Sequence, residues 1–202
     1  MINFVIQTSA LLIILVTHEL SHALVAYWNG DDTAKKEGRL TINPLKHLDL
    51  TGTLMMLIFK FGWAKPVPIN QYKFKHRRLG LFLVSLAGIF INLLTSFVLI
   101  GIMINFNVSN KIVNEFLRYL IAYGLVFGVF NLIPIPPLDG SRILASFLPD
   151  KFQYYIYKYE NIFFILLMFL LYTKAIHHIM DPVISFLYKI FIEFYLNILS
   201  IL

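Results

Sequence analysis

The run His18-Glu19-Leu20-Ser21-His22 places two imidazoles four residues apart, with a carboxylate beside the first. On a helix, residues four apart lie on one face, so both rings can turn a nitrogen toward a single ion. A glutamate adjacent to the first ligand reaches a water on that ion without binding the ion itself. The chemistry is metal-assisted hydrolysis, with His18 and His22 as ligands and Glu19 as general base. As a bare pentapeptide HExxH is weak evidence, since it recurs by chance in soluble helices.

The surroundings of the motif add weight. The 202 residues are 58% hydrophobic and 14% charged, against roughly 25% charged in a soluble domain, so the apolar segments must face lipid. Ionisable residues in a spanning helix are costly and rare without a role, and three share the first apolar segment. The bland alternative is two histidines that only hydrogen bond within a bundle. There is no cysteine, which excludes disulfides and leaves histidine and carboxylate as the zinc donors.

A catalytic zinc takes three protein ligands and keeps one position open. The carboxylates in or at the ends of the apolar segments are Asp49, Glu115, Asp139 and Asp181. Asp139 stands in Asn131-Leu-Ile-Pro134-Ile-Pro-Pro137-Leu-Asp139-Gly140, where prolines stop a helix and Gly140 is expected to take an unusual backbone angle. Read alone, this stretch is equally an interfacial turn. Depth favours the ligand reading, because His18, His22 and Asp139 all fall toward the same end of their segments.

The elements that must position these groups follow from apolar runs of about 20 residues. Clear spans are expected at 3–28, 79–106, 112–133 and 161–179, with 182–202 as a fifth segment in or on the membrane and 50–63 as a short re-entrant or interfacial run. The stretches 34–42 and 64–70 read as extended and could pair as a small sheet beside a wet site. Ten of the 17 Lys and Arg residues lie between Lys35 and Arg78; this asymmetry sets the amino terminus outside the cell membrane and the active site toward the cytoplasm. By the same count the His177-His178 turn falls outside, away from the site. The net charge of +6 is not arranged as a basic face with interleaved aromatics, so no nucleic-acid partner is expected.

The two motifs together closely resemble the site-2 protease family of intramembrane zinc peptidases, whose signatures are HExxH and NxxPxxxLDG. Asn131, Pro134, Leu138, Asp139 and Gly140 fill the second signature. The segments 43–49 and 62–70, and Ala87-Gly88 with Asn92, are similar to the family's small bacterial branch, with Ile89 departing where that branch usually has proline. The resemblance implies one zinc ion per chain on His18, His22 and Asp139, with Glu19 as base. It also implies transmembrane substrates such as anti-sigma factors, pro-proteins or signal-peptide remnants.

The expectation is an all-α polytopic membrane protein of about five to six membrane segments with a small membrane-associated β-hairpin or sheet. It forms one domain over 1–202, with a catalytic core at about 3–145 and carboxyl-terminal membrane helices at about 155–202. Asn131 and then Asn92 are candidates to hold the oxyanion, as buried amides that must bond somewhere. Val67, Pro68, Ile69 and Asn70 form a candidate edge for an extended substrate. The rival reading is a non-catalytic membrane zinc-binding protein or degenerate scaffold, which would have no use for Glu19.

Overall fold

In the computed structural model, which describes residues 2–49, 52 and 65–199, the chain is built from helices. These are α1 (Ile2–Trp28), a single turn α2 (Thr33–Lys36), α3 (Arg77–Asn105), α4 (Lys111–Leu132), α5 (Asp139–Phe147), α6 (Asp150–Lys158), α7 (Glu160–Tyr172) and α8 (His177–Leu199). The ends follow local chemistry. Asn110 caps α4 by accepting from the Ile112 and Val113 amides, satisfying donors that a helix start leaves open. Beyond α4, prolines 134, 136 and 137 cannot extend a helix, and the chain turns before α5.

α3 packs against both α1 and α4, which also touch each other, so the three form one mutually packed bundle. Bundles in lipid gain little from a hydrophobic effect between helices and rely on close backbone approach at small residues. Gly124 and Gly128 of α4, four apart, supply it. A Cβ at Gly124 would run into Ser96 Oγ and the Asn92 carbonyl, and one at Gly128 into Leu93. Ser96 Oγ donates to the Ile121 carbonyl at 2.9 Å, tying α3 to α4. Ala10 and Ile14 of α1 pack with Leu120 of α4.

α1, α3 and α4 are long and apolar enough to cross a membrane, and α6 with α7, bent by 61°, form a candidate broken span. Large apolar side chains on the outer surface, among them Phe90, Val98, Val126, Ile165 and Phe169, are exposed, as expected where lipid replaces water. The described residues thus hold three candidate spans, or four, where five to six were expected. The 50–63 run lies outside the described residues apart from Gly52.

Three expectations are corrected. No strand occurs among the described residues. The 34–42 stretch begins as α2 and passes into turns, while 65–70 is extended and unpaired with it; the Lys65 amide donates instead to the His47 carbonyl at 2.8 Å. Second, the expected 161–179 span ends at Tyr172, and α8 starts at His177 with Pro182 inside it. A proline in the second turn removes one ladder bond without ending the helix. Third, the His177-His178 turn lies at the Asp139 end of the bundle, because Ile176 and Met180 pack with Val129 and Leu138.

Replacing Gly124 with valine should destabilise the bundle by about 1–3 kcal/mol, the usual cost of overpacking, read as a lowered midpoint of unfolding in detergent. An unchanged midpoint would mean that α3 and α4 are free to separate there.

Candidate metal centre

The site is assembled from α1, α3 and the start of α5. His18 and His22, one turn apart on α1, meet edge to face, with ring centroids 4.6 Å apart and Nε2 atoms separated by 3.0 Å. Asp139, the first residue of α5, brings Oδ2 to 3.1 Å from His18 Nε2 and 3.2 Å from His22 Nε2. All three residues are buried, and they form a group able to hold a metal ion.

Two glycines make this convergence possible. A Cβ at Gly88 of α3 would overlap both imidazoles, so the rings lie directly on the α3 backbone. A Cβ at Gly140 would strike the Leu132 and Ile133 backbone. That corrects the expectation of an unusual angle, since the positive-φ glycines among the described residues are Gly30 and Gly38. Gly140 is needed for space: it lets α5 start against the end of α4, which sets the depth of Asp139.

The ring tautomers favour a cation. His22 Nδ1 lies 2.6 Å from the Val84 carbonyl. A carbonyl can only accept, so Nδ1 carries the proton and Nε2 presents a bare lone pair inward. His18 Nδ1 lies 3.1 Å from the Asn92 amide. Half a turn of that amide lets its oxygen, which otherwise has no partner, accept from Nδ1–H, and His18 Nε2 is bare in the same way. Asp139 Oδ2 is likewise buried without a hydrogen-bond donor. Three electron-rich atoms thus face one another at 3.0–3.2 Å. Donors around a tetrahedral zinc with bonds of about 2.0–2.1 Å stand roughly 3.3 Å apart. The residues present fit that ion.

Glu19 leaves α1 on the side of the extended 65–70 segment, and its Oε2 accepts from the Val67 amide at 2.8 Å. Sequence reasoning missed how that segment is held. Arg39 donates to the Lys65 carbonyl at 2.7 Å, and Asp31 accepts from the Asn70 amide at 2.6 Å and from Thr33. Both Asp31 and Arg39 are buried. A buried charge needs partners, and an aspartate and an arginine in an otherwise polar connection give no periodic signal of burial. Outside the bundle, Lys36 and Lys73 close on Asp32 at 2.5 and 2.8 Å and hold its carboxyl down at about 2, so this tie persists at neutral pH.

The structure therefore brings together His18, His22, Asp139 and Asn92, and sets Glu19 against Val67. It leaves Asn131 apart from them: its amide donates to the Phe127 carbonyl of its own helix at 3.0 Å. Pro68 and Ile69 continue the extended segment, and the Ile69 amide has no hydrogen-bond partner among the described residues. His47 is buried, with Nε2 2.7 Å from the Thr41 carbonyl, a contact within its own loop.

Comparison with known proteins places the chain in a family. The family model described as "Peptidase family M50" matches residues 99–173, a stretch containing Asp139. A Bacillus subtilis (strain 168) protein named "Putative zinc metalloprotease YwhC" is 39% identical over 183 residues, covering 87% of this chain and 84% of that protein. A Mycolicibacterium smegmatis protein with the same description, Rip2, is 29% identical over 86% of this chain and 69% of its own length. The Mycobacterium tuberculosis Rip2 is 31% identical over 74% of this chain and 60% of its own. No solved structure matches. With a relative this similar over most of both chains, and a buried His-His-Asp group that fits zinc, the chain belongs to peptidase family M50, the site-2 protease family of zinc metalloproteases.

Proposed function

We propose that this zinc metalloprotease is an intramembrane endopeptidase that cleaves peptide bonds within or near transmembrane segments of membrane proteins. The observation that carries the reading is the position of His18, Glu19 and His22 inside a helix long and apolar enough to span. A peptidase built for soluble peptides has no reason to sink its HExxH there. Of the substrates the resemblance implies, single-span anti-sigma factors, pro-proteins and signal-peptide remnants all fit. The charge asymmetry supports a cell-membrane orientation with the amino terminus outside and the site toward the cytoplasm, and one catalytic domain spanning 1–202 with its core at about 3–145.

His18, His22 and Asp139 hold the zinc. Bound there, zinc supplies Lewis acidity to the scissile carbonyl and to a water molecule. Glu19 is the base. The Val67 amide fixes Oε2, leaving Oε1 to take a proton from water and return it to the leaving amine. The Val84 carbonyl and Asn92 orient the two imidazoles, so Asn92 acts through His18 and the oxyanion role passes to Asn131, whose amide must leave the Phe127 carbonyl to reach a substrate.

A helical substrate hides its carbonyls in its own hydrogen bonds and must be drawn out. The 65–70 segment provides a rail for this step: it is extended, it is moored by Arg39 at Lys65 and by Asp31 at Asn70, and Val67 lies against the base. Pro68 offers no amide and the Asn70 amide is taken by Asp31, so strand pairing falls to the Val67 carbonyl and the Ile69 backbone.

Three outcomes test these assignments in proteoliposomes carrying single-span substrates. Glu19→Gln should lower cleavage by about 10²–10⁴-fold, the usual contribution of a general base, with bound zinc unchanged; cleavage at the wild-type rate would end the assignment. Ile69→Pro should reduce cleavage of the same substrates while zinc is retained, and an unchanged rate would remove the segment from substrate binding. Asn92→Leu should weaken zinc affinity by about 10–100-fold, as loss of a ligand-orienting partner does, measured by chelator competition.

A further inference from the structure

α8 has an unusual outer face. Its inner side follows α4 and α3 through the bundle: Met180 packs with Val129, Ile184 and Leu187 with Ile121 and Leu125, and Tyr195 against Gly101. This path takes α8 along most of the depth that α4 crosses. Its outer side carries Lys189 and Glu193 one turn apart, with Asp181 and Asn197 further along the same line of the helix. Lys189 lies midway, next to Leu187 and so at the level of the centre of α4. It pairs with Glu193 at 3.7 Å, yet their side chains remain 74% and 54% exposed.

Charged side chains at mid-bilayer depth ordinarily face the bundle interior or a partner. An ammonium with three donors and a single carboxylate at hand is incompletely satisfied, and hydrocarbon offers nothing further. Lys189 and Glu193 therefore call for cover by protein. Their charge pattern indicates which protein, since a two-fold axis along the membrane normal brings each residue beside its own copy. A row of one sign would then repel itself, whereas opposite charges one turn apart are self-complementary.

We infer that α8 is the interface through which two copies of this chain associate in the membrane, with Lys189 of each copy paired to Glu193 of the other. Rows spaced by four interdigitate when helices cross at roughly −40 to −50°. A crossing centred between Lys189 and Glu193 sets each ammonium toward the other copy's carboxylate and leaves Asp181 and Asn197 toward the ends. Phe186, Ile190 and Phe194, exposed beside the pair, provide the apolar surround. The inference stands apart from the peptidase reading, because it uses no residue of the metal centre.

The full-length chain, labelled separately with donor and acceptor dyes and diluted in liposomes, tests it by energy transfer, with bound zinc as the measure of intact folding. Wild-type copies should associate. Lys189→Glu and Glu193→Lys should each weaken association by about tenfold or more, and the double swap K189E/E193K should restore it. Because the chain has no cysteine, Phe186→Cys, at an exposed position beside the Lys189–Glu193 pair, gives a second reading that needs no charge change: oxidation should cross-link it to a dimer, while Ile165→Cys on the exposed face of α7 should stay monomeric. Absence of energy transfer between wild-type copies, a swap that fails to restore it, or equal cross-linking at Ile165→Cys would each overturn the inference, leaving lipid or a different protein as the cover of the pair.

Discussion

Three lone pairs pointed at one another inside a membrane bundle set the terms for the rest of this molecule. His18 Nε2, His22 Nε2 and Asp139 Oδ2 sit about 3 Å apart on buried side chains, an arrangement that repels itself unless a cation occupies the centre. Each neighbouring feature keeps them there. The Val84 carbonyl and Asn92 hold the imidazole protons on the outer nitrogens, Gly88 lets the rings rest on α3, and Gly140 lets α5 begin flush with the end of α4. The small-residue contacts of α4 with α3 make the frame rigid enough for the convergence to hold.

The centre was legible in the sequence because its chemistry is local or punctuated. HExxH encodes its own geometry through the helical repeat, and Asp139 is marked by the prolines that precede it. The spans at α1, α3 and α4 were equally plain, since lipid demands about 20 apolar residues and little else has that composition. What sequence reading lost depended on long-range contacts. The 34–42 stretch looked extended from its alternating character, yet it opens in a helical turn and passes into loops whose buried Arg39 reaches across to Lys65. Pro182 looked like a boundary and is an interior residue of α8. Gly140 looked like a backbone-angle device and is a spacing device, a difference that only the neighbour across the contact reveals.

The non-helical part of the site follows a different logic from the bundle. In the helices, backbone groups satisfy each other. Along 65–70 they are met one at a time by His47, Arg39, Glu19 and Asp31, so an extended chain is held at the edge of an apolar environment with no strand among the described residues. The same arrangement ties the base to the segment on which a substrate would lie, and the two cannot shift independently.

The ligands also come from distant parts of the chain. His18 and His22 belong to the first helix, whereas Asp139 follows more than a hundred residues later, after α3 and α4 have been made. During synthesis the histidine pair therefore enters the membrane well before its carboxylate exists, and a half-built chain contains the motif but no complete centre. The three-donor group is complete only once the hairpin of α3 and α4 is closed and α5 has docked, so the capacity to hold the ion is a property of the finished fold and not of the motif.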